Sequence, residues 1–471
     1  MPKALKVLLV VVLIKSLAWM GLTPIFQVPD EPSHFSIVQF IAEKGRRPHP
    51  RRELVTSQEA LTVSSLVNFN WKIVHPVWLG YQSNWIKAIK NIPQSDRSVF
   101  LPNSQQKSLK RPPLYYFLAT PFYLSVKSQS FLWRFFLVRF FSVLAGLATV
   151  YLAYQTAQLV FRRLDLAMAA AALVAFQPTL SFIGVGVHYD PLAVLVTTAF
   201  IFLSLNFLKT RKRPWFRWSL ATGFLAVLIK PDLIVLPFTL VFLVKKNRLK
   251  LILPAIFVLV AILSLLPAAL TSLITSNNFL SNQLLYLTNL NEYAYHAQFF
   301  LESLFTGKIF FQFKDYLAAT APGHLAQVFP WYWGVFGWLE ATLPLWVYRL
   351  LKLVVLAAAA GLAALGFKLA RQTKLFRRQV GFLGLVVLSH LAVVVLNDFK
   401  IFAASGEIYG IQGRYLLPVV AGQMIFLVLG LSQLVAKKHY PVLSRLIIAA
   451  AIGLNLIGLA TVYQYFGWVW S

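Results

Sequence analysis

Apolar stretches of about 17 to 25 residues, each long enough to cross a bilayer, recur along the whole chain, at 5–26, 135–160, 166–187, 191–208, 251–275, 343–366, 380–397, 415–436 and 445–463. Hydrocarbon offers no partner to a backbone N–H or C=O, so each run must close its hydrogen bonds internally, as a helix. A spanning barrel would instead show alternating segments of roughly ten residues, and 251–275 has no such alternation. Between Trp218 and Val244 a further apolar region is broken by Lys230-Pro231-Asp232, which predicts two short helices turning back on each other. The fold class is therefore all-α: a polytopic membrane protein of roughly eleven transmembrane helices. Neither an internal repeat nor a low-complexity linker divides the chain, and 1–471 reads as a single domain.

Charge decides the partners and the orientation. The formal net charge is +29, from 44 Lys and Arg against 15 Asp and Glu. The basic residues sit in short clusters between apolar runs, not on one soluble face, which argues against nucleic acid and for anionic membrane lipids. With no cysteine, disulfides, thiolate metal sites and a Cys nucleophile are all excluded. The opening Met-Pro-Lys-Ala-Leu-Lys looks like a signal-peptide head, but no small-residue cleavage site follows and Lys15 interrupts the apolar run, so a retained first span is expected.

Arg162 and Arg163, the cluster Lys209 to Arg217, Lys245 to Lys250, Lys368 to Arg378, and Lys437 with Lys438 fall in alternate connections. By the positive-inside rule these are cytoplasmic, and so is the N-terminus. The opposite connections face outward, the two large ones being 27–134 and 276–342. This alternation requires that Pro112 to Val126 does not cross. At about fifteen residues, opened by two prolines, it suits a helix lying in the outer interface, and the remainder of 27–134, which mixes Arg pairs with Trp71, Trp78 and Trp85, has the same interfacial character.

On this topology the outward polar groups nearest the membrane are few. Asp30, Glu31 and His34 follow the first span in Pro29-Asp30-Glu31-Pro32-Ser33-His34-Phe35; His188 and Asp190 occupy the next outer turn; Lys230 lies in the broken hairpin; Gln412 and Arg414 precede the tenth span. In a chain so poor in acids, their sorting to one face points to a site. Ionisable groups at a membrane boundary are costly unless paired or hydrated. A partly desolvated carboxylate there has its pKa raised toward the range of a general base, and Arg and Lys suit a phosphate. Base and phosphate clamp together imply transfer from a phosphorylated carrier.

Each residue also has a plainer role open to it. Asp190 can cap the helix that follows it, Lys230 can snorkel to the interface, and Arg414 can anchor its span at the headgroups. His34, four residues after Asp30, can serve as a structural hydrogen-bond partner or a ligand. The run Phe329-Pro330-Trp331-Tyr332-Trp333-Gly334 fits an interfacial aromatic belt as well as a sugar-stacking platform.

The Asp-Glu-Pro motif after the first helix, the segment Pro112-Pro113-Leu114-Tyr115-Tyr116 closing the first outer loop, and a second Asp at the next outer turn resemble the GT-C superfamily of integral-membrane glycosyltransferases. The Lys-Pro hairpin and Gln412-Gly413-Arg414-Tyr415-Leu416-Leu417-Pro418 look similar to a branch of predicted bacterial membrane proteins related to it. The resemblance implies a polyprenyl-phosphate-linked sugar as donor, an acceptor (glycan, lipid or protein) entering from the extracytoplasmic side of the inner membrane, and a catalytic acid in the first outer loop. Matched residue by residue, Asp30 takes the catalytic position, Asp190 the second acidic site and Lys230 a place near the donor phosphate. Asp190 stands alone in His-Tyr-Asp-Pro where the family carries a paired acidic motif, so Mg²⁺ or Mn²⁺, with Asp30 and Asp190 as its ligands, is left open.

The combined reading is an inverting sugar transfer in which Asp30, with Glu31 as the alternative, is the base and His34 orients it. Lys230 and Arg414 stabilise the departing phosphate, and Gln412, Tyr415, Tyr116, Trp331 and Trp333 line the substrate. A glycolipid or polysaccharide transporter that only binds the headgroup, and a ligase of lipid-linked glycans, are the rivals.

Overall fold

A computed structural model of the chain describes all residues except 49–54, 72–75, 79, 102–111, 245–305, 321–322, 409 and 468–471. Among the described residues seven helices are long and apolar enough to cross a membrane: Lys3–Leu22, Phe131–Phe161, Asp190–Thr210, Leu345–Arg371, Lys374–Ala403, Gly413–Gln433 and Lys437–Phe466. The expected span 251–275 and the part of the second large loop before residue 306 lie outside the described residues.

The first helix, α1 (Lys3–Leu22), buries Leu5, Leu8, Val12, Ser16 and Trp19, a stripe at helical spacing, while Val7, Val10, Ile14 and Leu17 are exposed. A helix apolar on both its packed and its open side fits lipid rather than water. The first outer loop then builds α2 (Glu31–Lys44), α3 (Gln58–Leu66), α4 (Trp85–Lys90) and α5 (Leu114–Leu124), with two short antiparallel pairings, Thr56–Ser57 with Phe100–Leu101 and Phe69–Trp71 with Pro76–Trp78. At 11 residues, α5 spans about 16 Å, too short to cross, as its prolines and length predict. It buries Tyr115, Tyr116 and Tyr123 and packs on α2 and on α6 (Phe131–Phe161).

The run 166–187 departs from expectation. It is two helices, α7 (Leu164–Phe176) and α8 (Pro178–Ile183). Pro178 has no N–H to continue the ladder and forces Gln177 into extended backbone. The carbonyls freed in the last turn of α7 are answered from elsewhere: Lys15 Nζ donates to Ala175 O at 2.9 Å and Asn455 Nδ2 to Phe176 O at 3.0 Å. Hydrocarbon tolerates a broken helix only where neighbours supply such partners.

The chain continues through α9 (Asp190–Thr210) and α10 (Arg213–Val227), then breaks at Lys230-Pro231 into short helical turns that include α11 (Val235–Thr239), as the sequence predicts. After residue 305 come α12 (Lys308–Thr320), α13 (His324–Gly334), α14 (Leu345–Lys368), α15 (Lys374–Ser405), a 3-10 turn at Gly413–Val419, α16 (Val420–Gln433) and α17 (Tyr440–Phe466). Helices α14 and α16 cross at van der Waals contact of their backbones: a Cβ on Gly361 would lie 1.9 Å from Gly430 O, and one on Gly430 2.1 Å from Ala358 O. Gly361→Ala is therefore expected to lower the midpoint of thermal unfolding in detergent, by a cost of about 1–3 kcal/mol typical of overpacking. Gly366→Ala, where a Cβ meets nothing within 4 Å, is expected to leave it unchanged.

Candidate functional site

The end of α1, the start of α2, the α8–α9 turn, the α10 break and the 3-10 turn before α16 meet at one end of the bundle. Asp30 stands at the N-cap of α2 with φ 65, a left-handed conformation for a non-glycine residue. Its carbonyl accepts the His34 N–H at 3.1 Å. Its Oδ2 accepts from Arg414 Nη2 at 2.7 Å; the Arg414 side chain is 9% exposed and that of Asp30 42%. The carboxylate thus opens outward while its cation sits behind it.

Arg414 is fixed on every nitrogen. Nε donates to Gln412 Oε1 at 2.8 Å, Nη1 reaches Pro29 O at 3.4 Å, and the same nitrogen lies 3.4 Å from His188 Nε2. His188 Nδ1 in turn accepts the Asp190 N–H at 3.0 Å and lies 3.4 Å from Asp190 Oδ2. Asp190 Oδ1 accepts from Lys230 Nζ at 3.0 Å, and that ammonium stands over the rings of Tyr189 and Tyr415, 5.7 and 5.4 Å from their centroids. A chain of polar contacts therefore runs Lys230, Asp190, His188, Arg414, Asp30, from the buried interior to the open carboxylate. Beside it, His34 Nδ1 pairs with Tyr116 OH at 2.8 Å, and the His34 ring stands edge-on to His188 at 4.5 Å.

Electrostatics reverses one expectation. Burial alone would raise the Asp30 carboxyl, as anticipated from its place at the membrane boundary; Arg414 beside it, together with His34 and His188, outweighs burial and holds it below the usual carboxylate range. Burial, with His34, Arg414 and Lys230 nearby, pushes the His188 imidazole well below its ordinary value, so it is neutral at physiological pH.

Glu31 turns away from this opening. Both of its oxygens are on Arg139, and its side chain is fully buried. Trp331 borders a small cavity of about 20 Å³ together with Pro29, Gln412, Gly413 and Arg414, room for about one water. Trp333 instead lines a separate apolar cavity of about 830 Å³ among α13, α14, α15 and α16, with Phe329, Ile411 and Leu416. Arg139 is not among the residues expected from sequence, although a cation inside the run 135–160 is the kind of intramembrane charge that marks a site.

Asp30, His34 and His188 each offer an atom within 4.8 Å of the others and are the described residues that could hold a metal. They do not fit Mg²⁺ or Mn²⁺. Those ions favour several oxygens, whereas this set has one carboxylate and two imidazoles, and the Arg414 guanidinium lies within 3.4 Å of two of the three residues.

The fold and site define a polytopic helical membrane protein with an ionic site built by its loops at one end of the bundle. The chain belongs to the DUF2142 family, described as predicted membrane proteins, whose pattern matches residues 13–422. No curated protein matches its sequence. Among solved structures it is similar to the Archaeoglobus fulgidus oligosaccharyltransferase tethered with an acceptor peptide, at 14% identity and TM-score 0.48, covering 97% of this chain and 55% of that one. It is also similar to ArnT from Cupriavidus metallidurans, both apo (13% identity, TM-score 0.41, 98% and 75% covered) and bound to undecaprenyl phosphate (14%, 0.41, 98% and 76%). The chain thus spans about half the length of the oligosaccharyltransferase.

Proposed function

We propose that this chain transfers a sugar from a polyprenyl-phosphate-linked donor to an acceptor at the extracytoplasmic face of the membrane. The observation that carries the reading is the Asp30–Arg414 pair: an open carboxylate and a buried guanidinium in contact, one suited to a proton and the other to a phosphate. The acceptor hydroxyl oxygen attacks the anomeric carbon as its proton passes to Asp30. The bond from that carbon to the phosphate oxygen breaks, with inversion, and the negative charge gathers on the leaving lipid phosphate. A preorganised cation stabilises charge where it develops, and Arg414 takes that part. Lys230, 2% exposed, adds a second positive charge next to this site and holds Asp190 Oδ1 at 3.0 Å. Among the described residues, Asp30, His34 and His188 do not supply the several oxygens that a hard metal ion favours. The basic clusters at Arg162 and Arg163, Lys209 to Arg213, and Lys437 and Lys438 lie at the opposite helix ends from the site, which favours an outward site and a cytoplasmic N-terminus.

Purified chain given a radiolabelled polyprenyl-phosphate sugar and cell-envelope acceptors is expected to release lipid phosphate and place the label in a new covalent product. Label that crosses a proteoliposome membrane while still on its lipid would establish the transporter instead. Because Arg414, with His34 and His188, holds Asp30 ionised, the wild-type rate is expected to stay level from neutral pH down to about pH 5, above the ordinary aspartate value of about 3.9. Arg414→Gln is expected to lose about 10²–10³-fold in rate and to begin losing activity at higher pH, since burial then acts on Asp30 without the largest of the charges that oppose it. A pH profile unchanged by that substitution would contradict the pairing.

A further inference from the structure

We infer that Glu31 is a positioning residue: with Arg139 it locks the left-handed turn that presents Asp30 and ties that turn to the His188 loop. The inference rests on the reading of Asp30 as the base. A non-glycine residue held at positive φ is strained and persists only where its surroundings over-determine it. No side-chain cap holds the N-terminus of α2 at Asp30; Arg414 holds the turn from one side, at Asp30 Oδ2 and Pro29 O, and the Glu31–Arg139 pair holds it from the other. Arg139 Nε donates to Glu31 Oε1 and Nη2 to Oε2, both at 2.8 Å. Its remaining bonds go to backbone carbonyls, Nη1 to Met20 O at 3.2 Å and Thr23 O at 2.7 Å, and Nη2 to Pro24 O at 2.8 Å. These carbonyls belong to the end of α1 and the segment that leads into Asp30. Glu31 Oε1 also accepts the N–H of Val187 at 2.9 Å, one residue before His188.

One buried pair therefore fastens α6, the end of α1, the turn at Asp30 and the loop that carries His188. Its planar fork matches the carboxylate in a way a lysine could not. Both Glu31 oxygens are spent on these donors and neither the acid nor Arg139 is exposed at all, so an acceptor hydroxyl has no approach to Glu31. Asp30, the adjacent carboxylate, is the one that opens outward.

A residue that acts only through Asp30 loses its influence once Asp30 cannot work. Glu31→Gln is expected to lower kcat by about 10²-fold in the wild-type background, the usual result of displacing a catalytic group by about 1 Å. In the Asp30→Asn background it is expected to have no further effect, because the two act as a unit. Losses that multiply in the double variant would overturn the inference, as would a Glu31→Gln protein of wild-type rate. If Glu31→Gln alone does not accumulate, Glu31→Gln with Arg139→Gln, which leaves no lone buried charge, carries the same two comparisons.

A second readout needs no turnover. The chain has no cysteine, so Asp30→Cys supplies a single thiol at the turn and Gln58→Cys, on the exposed side of α3, a reference. Adding Glu31→Gln is expected to change several-fold the rate at which a water-soluble maleimide labels the thiol of the Asp30→Cys protein, and to leave the reference unchanged. Equal labelling with and without Glu31→Gln at both positions would overturn the positioning role. Should the wild type transfer no sugar at all, the proposed function falls while the labelling still reports on the turn.

Discussion

Asp30→Asn is expected to lower kcat for sugar transfer by about 10²–10⁴-fold, the contribution typical of a positioned general base. The substitution isolates chemistry from architecture. Asparagine has nearly the same shape as aspartate and is among the few residues that tolerate the left-handed backbone found here, φ 65. Its carbonyl oxygen can still accept from Arg414, so the α1–α2 turn keeps its anchor. What disappears is the negative charge and with it any capacity to take a proton at neutral pH. Initial rates at saturating donor, compared in samples with matched elution and thermal unfolding, provide the check. An Asp30→Asn protein as fast as wild type would remove Asp30 from the chemistry.

Gly413→Ala is expected to cost nearly as much as removing the Arg414 side chain itself, about 10²–10³-fold in rate, although it touches no charged group. A Cβ on Gly413 would lie 2.0 Å from Tyr332 N and 2.2 Å from Trp331 C, in the backbone of α13. Backbone cannot turn aside as a flexible side-chain end can, so the 3-10 turn at Gly413–Val419 must shift. Arg414 is the next residue, and a small displacement breaks a 2.7 Å bond to Asp30 and a 2.8 Å bond to Gln412 together. The Gly-Arg-Tyr order thus has a steric reason: only glycine lets the cation's segment lie directly on α13. Gly453→Ala, on α17, where a Cβ meets nothing within 4 Å, is expected to retain wild-type rate. Full activity in the Gly413→Ala protein would mean that the position of Arg414 is not held by this contact.

Much of this arrangement can be read from the sequence because the membrane imposes it. The helices lie close to the apolar runs, and the scarcity of acids makes the few at helix ends conspicuous. Charge alternation puts Asp30, Asp190, Lys230 and Arg414 on one face, and the structure joins them through His188. Partners across the fold are not legible. Nothing near Asp30 in sequence announces Arg414, 384 positions away, so the sequence suggests a carboxyl raised by burial where the guanidinium in fact lowers it. Glu31 and Arg139 each look like an isolated charge until folding brings them together. Pro178 marks the split of 166–187, but the continuity of the apolar run masks its effect on the helical ladder. Trp331 and Trp333, two positions apart, part company because one borders Arg414 and the other faces a different cavity.

The most direct test is a density map of the full chain with a polyprenyl phosphate bound. The phosphate is expected within hydrogen-bond distance of the Arg414 guanidinium, with the Asp30 carboxylate facing the side on which a sugar would hang. A phosphate seated away from Arg414, or one whose sugar-bearing side points away from Asp30, would contradict the proposed function.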